Sequence, residues 1–152
     1  MTQYNVVTQQ QIPKTDQSVK TIGCISRDLD IKELCSFCNT KDEIIKSNAL
    51  AFAIYDRYPV NPGHLLVIPK RHVGNYFNTT AEEKLAFNEL IDECKNMLDK
   101  EIEPDGYNIG VNCGESAGQN VDHVHIHLIP RYKGDSEKSG RGIRGFICEK
   151  KI

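Results

Sequence analysis

Hydrophobic residues alternate with histidines between positions 123 and 128, and this alternation is the clearest pattern in the chain. The order is His-Val-His-Ile-His-Leu, and Pro130 follows two residues later. Because successive side chains of a β-strand point to opposite faces, the pattern predicts a strand with His123, His125 and His127 on one face. Neighbouring histidines would lie about 6.6 Å apart along it. The apolar residues predict a buried opposite face, and Pro130 predicts the end of the strand.

Three further apolar runs predict strands. The runs at 49–55 and 64–68 are separated by a stretch rich in Pro, Gly and Asn, which predicts an antiparallel pair joined by a loop. A third run at 106–112 leads through a loop of small residues, 113–120, into the histidine strand.

A long helix is predicted from about residue 80 to residue 101. Both Thr79 with Glu82 and Thr80 with Glu83 have the spacing of a capping box. One apolar stripe at helical spacing follows, made of Phe87, Leu90, Ile91, Cys94, Met97 and Leu98. Short strands, one long helix and two more strands predict an α+β fold with an antiparallel sheet.

The first 32 residues are polar and contain few large apolar side chains, which predicts an N-terminal extension with a short strand at 4–8. Residues 33–152 are predicted to form one domain, as expected for a chain of 152 residues. The segment 134–145 is rich in Gly and charge and predicts a loop, and 146–148 predicts a short closing segment.

Composition narrows the class of protein. With 39% hydrophobic and 26% charged residues, the chain resembles an ordinary soluble domain. A net charge of −2 argues against bulk nucleic-acid binding, and no apolar run approaches the length of a membrane span. Six cysteines without a leader-like N-terminus favour reduced thiols and a cytoplasmic location.

The loop before the histidine strand bears on what the histidines do. Gly114 and Gly118 allow close backbone approach, so backbone N–H groups of this loop are expected to surround an anion. Asn112, Gln119 and Asn120 add neutral donors, whereas carboxylates are scarce. These donors suit a phosphate better than a hydrolytic metal. The histidines themselves permit two interpretations, a metal site or a nucleophile with positioning neighbours.

Two segments carry a family resemblance. The run 118–131 resembles the signature of the histidine triad superfamily of nucleotide hydrolases and transferases, and 62–72 is similar to another recurrent segment of that family. The tail 131–135 is similar to the branch of fragile-histidine-triad and dinucleoside-polyphosphate hydrolases. The resemblance covers about residues 33–134. It implies a five-stranded sheet and a homodimer with a composite sheet.

The resemblance also implies a reaction. His125 would attack the α-phosphorus of a nucleotide, and water would release the nucleoside monophosphate (AMP from an adenine nucleotide). Substrates would be dinucleoside polyphosphates or nucleoside phosphoramidates. His123, His127 and Gln119 would belong with His125 to the catalytic group.

Five further positions are implied to contact substrate. Asp56 would hold the ribose hydroxyls and His64 would lie near the phosphates, while Gly118, Asn112 and Asn120 would surround them. One position departs from some relatives, which carry a histidine where this chain has Tyr55.

The pair Cys35-x-x-Cys38 has the spacing of zinc ligands. The resemblance implies a structural zinc bound by Cys35, Cys38, His72 and His123, and no organic cofactor. Two alternatives stay open. The cysteines are a redox pair, although no thioredoxin-like βαβ pattern follows, or they are two ordinary reduced thiols.

Two other functions compete with the nucleotidyl hydrolase. One is a nucleotide-binding or scaffold module with little catalysis. The other is a metallohydrolase in which all three histidines of the triad bind a single ion.

Overall fold

The computed structural model describes residues 32–135. The predicted strand at 4–8 and closing segment at 146–148 lie outside these residues. The described strands are β1 (Lys46–Ser47), β2 (Ala51–Tyr55), β3 (Leu65–Pro69), β4 (Gly106–Val111) and β5 (Ile126–Arg131), and the long helix is Ala81–Glu101. Short 3-10 turns lie at Tyr76–Asn78 and Glu115–Ala117, and residues 32–34 are helical.

The strands form one antiparallel sheet in the order β1-β2-β3-β5-β4. In register, Leu66 of β3 lies between Ile54 of β2 and His127 of β5, and His127 in turn faces Gly110 of β4. These residues share one face of the sheet because directly opposed side chains point the same way. The prediction of an α+β fold with an antiparallel sheet and one long helix is confirmed.

The histidine strand begins later than its alternation predicts. β5 begins at Ile126, so His127 is the one triad histidine that lies in it. The segment before β5 makes its backbone hydrogen bond to a residue outside the sheet: the Val124 N–H donates to the carbonyl of Val73 at 2.8 Å. The predicted end is also wrong, because Pro130 lies inside β5. Pro130 pairs with Tyr107 of β4, whereas β3 pairs no further than residue 128 of this strand.

The helix begins where the capping chemistry places it. The Thr80 hydroxyl accepts from the Glu83 N–H at 3.2 Å, and the Glu83 carboxylate accepts from the Thr80 N–H at 2.8 Å. Glu83 also binds the Arg71 guanidinium through two contacts of 2.8 Å, which ties the helix to the end of β3. The alternative box at Thr79 does not form, because that hydroxyl donates to the Tyr76 carbonyl.

The helix packs on one sheet face and leaves the other free for a site. Its predicted stripe is buried against β2, β3 and β5, except that Met97 is only partly buried. On the opposite face, Phe52, Ile54, Leu66 and Ile68 form a smaller cluster that Phe37 covers in part. The loop from β2 to β3 returns over the helix at Gly63, which has a φ of +83°. A Cβ at this position would lie 2.5 Å from the end of the Ile102 side chain, so a larger residue would displace that side chain and would also be strained by the positive φ.

Candidate active site and metal centre

A cavity of about 620 Å³ lies on the sheet face opposite the helix. This volume is typical of a small-molecule site. Ile54 and Leu66 form part of its apolar lining, and His64, His125 and His127 supply ring nitrogens. The remaining predicted residues that line the cavity are Asp56, Asn112 and Asn120.

One ring nitrogen of His125 is held by the backbone. Its Nδ1 lies 2.8 Å from the carbonyl oxygen of His123, and a carbonyl can only accept. Nδ1 therefore carries the proton in the neutral ring, and Nε2 keeps its lone pair. His125 is buried but lines the cavity, so an unprotonated nitrogen is available to an electrophile there.

His127 and His64 meet beside His125. The rings of His125 and His127 lie 5.2 Å apart, and Nδ1 of His127 lies 3.0 Å from Nε2 of His64. Burial, together with the neighbouring His125 and His64, lowers the pKa of His127 to about 4. Burial also lowers the pKa of His64, against the opposing charge of Asp56. Both rings are therefore neutral at pH 7.

Asp56 is held at the edge of this histidine pair. One carboxylate oxygen accepts from the Tyr58 N–H at 2.9 Å. The other lies 3.6 Å from Nε2 of His64 and 3.9 Å from Nδ1 of His127. The carboxylate is mostly buried and lines the cavity beside the rings of His64 and His127.

The third triad histidine serves a different centre. The Nε2–H of His123 donates to the Pro69 carbonyl at 3.0 Å, so Nδ1 keeps the lone pair. That Nδ1 lies 3.3 Å from Sγ of Cys35 and 3.6 Å from Sγ of Cys38. His72 completes the group, with Nδ1 3.3 Å from Sγ of Cys38. The ligand atoms of all four residues lie within 4.8 Å of one another.

These four residues fit a tetrahedral zinc ion. Zinc bonds of about 2.3 Å to sulfur and 2.05 Å to nitrogen place neighbouring S and N ligands about 3.6 Å apart. The S–N separations of 3.3 to 3.6 Å in the cluster are close to that edge. Burial lowers the pKa of His123, which keeps it in the neutral form that binds metals. Its bond to Pro69 is the outer-shell contact that metal-binding histidines usually make.

The triad is thus divided between two centres. His123 belongs to the cysteine cluster, His127 to a cluster with Asp56 and His64, and His125 to neither of these groups among the described residues. The three rings of the triad therefore do not all face one small group. The division also removes support from a metallohydrolase in which one ion binds the whole triad.

The loop 113–120 is bonded mainly to itself. The Gln119 side chain accepts from the Gly114 N–H at 2.7 Å and donates to the carbonyls of Gly74 and Val121. Gln119 therefore braces the loop, and it is not among the residues that line the cavity. The backbone N–H groups of Gly114, Ala117, Gly118 and Gln119 are all taken by bonds within the loop. The expectation that these amides surround an anion is wrong for those four.

Gly118 and Asn112 contact each other at the end of this loop. Gly118 has a φ of +86°, and its carbonyl accepts from the Asn112 side chain at 3.3 Å. Asn112 and Asn120 line the cavity, whereas Gly118 does not line it and contacts the Asn112 side chain.

Sequence reasoning did not single out two parts of the cavity. The Phe37 ring lies between the two cysteines in sequence and 5.3 Å from the His125 ring. Arg57 also lines the cavity, and its guanidinium donates to the Asp42 carboxylate at 3.0 to 3.1 Å. The sequence did contain a signal for Phe37, because it lies between the two cysteines of the Cys-x-x-Cys pair. A loop held by a metal also fixes the side chains between its ligands. No local pattern marks Arg57.

Comparison with known families settles the identity of the domain. The sequence profile described as HIT domain matches residues 38–134. The chain belongs to the HIT domain family. The matched range contains all five cavity or cluster histidines and all three asparagines that line the cavity, so the candidate site lies within the HIT domain apart from Cys35 and its two neighbours.

The relatives of this chain include an uncharacterised HIT-like protein and two proteins with enzyme names. An uncharacterised 16.1 kDa HIT-like protein of Mycoplasma pneumoniae is 41% identical over 104 residues, 65% of this chain and 72% of that protein. The bis(5'-adenosyl)-triphosphatase of Dictyostelium discoideum is 37% identical, covering 65% of this chain and 66% of the enzyme. The AP-4-A phosphorylase of Mycobacterium tuberculosis is 33% identical over 61% of this chain, which spans only 48% of that enzyme.

Solved HIT structures share the fold. A HIT family protein from Bacillus anthracis superposes with a TM-score of 0.64 at 34% identity, covering 68% of this chain and 77% of that one. A zinc-bound histidine triad family protein from Mycobacterium smegmatis superposes with a TM-score of 0.64 at 29% identity, covering 75% and 93%.

Proposed function

We propose that this HIT protein is a nucleotidyl hydrolase that works through a covalent nucleotidyl-histidine. Nε2 of His125 forms a bond to the α-phosphorus as the bond from phosphorus to the leaving group breaks. The leaving group departs with the electron pair and takes up a proton. A water oxygen then bonds to phosphorus, the N–P bond breaks, and nucleoside monophosphate is released with the histidine restored.

The hydrogen bond of His125 is the observation that carries this proposal. With Nδ1–H bound to the His123 carbonyl, the nucleophilic lone pair is confined to the nitrogen that the cavity can reach. Splitting one displacement into two steps is the usual gain of covalent catalysis. The same cavity is lined by uncharged donors, Asn112 and Asn120, and phosphoryl transfer depends chiefly on positioning by such groups.

The substrate class follows from relatives rather than from the cavity. Relatives described as a bis(5'-adenosyl)-triphosphatase and an AP-4-A phosphorylase act on adenine dinucleoside polyphosphates by their names. We therefore place dinucleoside polyphosphates first and nucleoside phosphoramidates second. In this proposal Asp56 holds the ribose hydroxyls and His64 lies near the phosphates.

The decisive experiment is product analysis with diadenosine tetraphosphate and with adenosine phosphoramidate. We expect AMP from the wild type and a loss of at least about 10³-fold in His125→Asn, as for removal of a nucleophile. Asparagine can still donate to the His123 carbonyl, so the fold of this segment is retained while the reactive nitrogen is lost.

Asp122→Asn is the matched control, because Asp122 is exposed in the same segment and lies outside the cavity lining. AMP binding should persist in both variants. Wild-type protein that binds nucleotide without releasing AMP would leave a binding module in place of an enzyme. Immediate loss of turnover on chelation would instead favour metal chemistry.

We also propose that Cys35, Cys38, His72 and His123 bind a structural zinc. The tetrahedral edge distances, the neutral His123 and the zinc-bound Mycobacterium smegmatis relative support this assignment. A zinc with four protein ligands has no open position, so it would supply rigidity and leave catalysis to the protein side chains.

A homodimer and a cytoplasmic location complete the proposal. β4 is an edge strand, and Ile109 on it is 49% exposed, which suits pairing with the same strand of a second copy.

Reduced thiols in the metal cluster suit a cytoplasmic protein. No helix in the described part of the chain has the length and apolar character to cross a bilayer.

A further inference from the structure

The cluster of Asp56, His64 and His127 allows two physical interpretations. Its three ligand atoms lie within 4.8 Å of one another, as in a site for a second metal ion. The same contact of 3.0 Å between Nε2 of His64 and Nδ1 of His127 is also an ordinary N–H···N hydrogen bond. The two interpretations differ in which nitrogen of His64 carries the proton.

A backbone amide decides between them. The Val60 N–H donates to Nδ1 of His64 at 3.2 Å, so Nδ1 of His64 is an acceptor. A neutral histidine with an accepting Nδ1 carries its proton on Nε2. Metal binding through Nε2 would require the opposite tautomer, which would point an N–H of His64 at the N–H of Val60.

The tautomer of His64 determines the tautomer of His127. The Nε2–H of His64 donates to Nδ1 of His127, so Nδ1 of His127 is also an acceptor. The neutral His127 ring therefore carries its proton on Nε2. This nitrogen has no hydrogen-bond partner within residues 32–135, and His127 lines the cavity.

We propose that His64 is a positioning residue that sets the tautomer of His127, so that His127 presents an N–H donor to the phosphate group beside His125. The order is Val60 N–H to His64, His64 to His127, and His127 to the ligand. Without His64, the neutral ring of His127 is free to carry its proton on Nδ1, and Nε2 would turn a lone pair toward phosphate oxygens. The meaning of this donor for catalysis rests on the proposed nucleotidyl transfer.

The result is a cavity with two neutral histidines of opposite roles. His125 presents a lone pair because a carbonyl holds its Nδ1–H, and His127 presents an N–H because an imidazole holds its Nδ1 lone pair. One is an attacking group and the other stabilises charge on the phosphate, although the sequence gives both the same residue type.

The test compares His64→Gln with His64→Asn. The glutamine amide reaches the position of Nε2 and can donate to His127, whereas the shorter asparagine amide reaches only the position of Nδ1 and can bond Val60. Two-bond 1H–15N correlation spectra at pH 7.5 distinguish protonated from unprotonated ring nitrogens, and the His127→Gln spectrum identifies the signals of His127.

We expect His127 to carry its proton on Nε2 in the wild type and in His64→Gln, and to show both tautomers in His64→Asn. With the better of the two substrates, kcat/KM should fall about 10- to 100-fold in His64→Asn, as for loss of an outer-shell partner. His64→Gln should restore most of that loss. A merely structural role for His64 would not make the tautomer follow the donor.

Three results would overturn the inference. They are a wild-type His127 with its proton on Nδ1, a tautomer that is the same in both variants, and a second equivalent of zinc that His64→Asn abolishes. The spectra need no turnover, so the two proposals fail separately. A wild type that releases no AMP but shows the expected tautomers would reject the hydrolase and retain the role of His64.

Discussion

At the scale of single residues, backbone groups give the histidines of this site different chemistry. The carbonyl of His123 fixes the proton of His125, and the carbonyl of Pro69 fixes that of His123. The local backbone conformation determines which carbonyl each ring bonds. That bond fixes the tautomer, and the chemistry of the ring then depends on the group that its other nitrogen contacts. The roles in substrate binding and catalysis assigned to individual residues remain predictions.

The lowered pKa of His127 predicts an acid-sensitive fold. The unfolded chain takes up this proton near pH 6.5, whereas the native protein takes it up only near pH 4. The contribution of the neutral His127 ring to the unfolding free energy is therefore fully present above pH 6.5 and is lost as the pH falls toward 4. Between pH 7.5 and pH 5, the titration of His127 lowers the unfolding free energy by about 2 kcal/mol.

Urea unfolding of the wild type and of His127→Gln at the two pH values measures this loss. The glutamine variant has no such proton and should lose less stability on acidification. Equal losses in the two proteins would show that burial does not disfavour the charged form of His127.

At the scale of elements, the cysteine loop connects the two centres. The proposed zinc ligands come from this loop, from the chain after β3 and from the segment before β5, so one ion would tie together three separate pieces of chain. Phe37 lies within the same loop and packs beside His125. Order at the cysteines is therefore transmitted to the wall of the cavity.

This connection predicts the effect of Cys38→Ser. We expect one equivalent of zinc in the wild type and none in the variant, by metal analysis of protein purified without chelators. The unfolding free energy should fall by about 3 kcal/mol, the linkage expected for free zinc at about 100 times its Kd. AMP binding should weaken because the Phe37 wall is loosened.

Cys113→Ser is the matched control, since Cys113 is a free thiol outside the cluster. It should keep zinc and AMP binding. A wild type purified without zinc would contradict the metal assignment, and loss of zinc in the control would contradict the choice of ligands.

At the scale of the whole molecule, the sheet has one short edge and one long edge. β1 has two residues, whereas β4 has six and carries neither Pro nor Lys, which commonly protect an edge strand. Ile109 lies on the helix side of the sheet with its register partner Leu128, yet it is half exposed. Nothing within residues 32–135 pairs with the outer side of β4.

The full chain is therefore expected to be a dimer at micromolar concentration by sedimentation velocity. Ile109→Lys should shift it to monomer, because a charge on this edge opposes strand pairing. Leu85→Lys is the control, since Leu85 is an exposed apolar residue in the first turns of the helix. A monomeric wild type, or equal dissociation in both variants, would contradict pairing through β4.

Much of this fold was accessible from the sequence because its signals are local. The helix from Thr80 to Glu101 was predicted from spacing and capping, and the structure has it within one residue. The strand pair on either side of the Pro-rich loop was predicted as antiparallel and is confirmed. The start of β5 was missed, because alternation continues through an extended segment whether or not a neighbouring strand pairs with it.

The sequence by itself determined the residue types and their short-range spacing: the alternating histidines, the cysteine pair and the capped helix. These follow from strand and helix geometry within a few residues of chain. The family resemblance implied that His123 joins the cysteines, and the tertiary structure brings these residues together. Only the tertiary structure decided that His64 meets His127 and that Gln119 braces its own loop. Such contacts join residues up to 88 positions apart, and they depend on strand register and on where loops return.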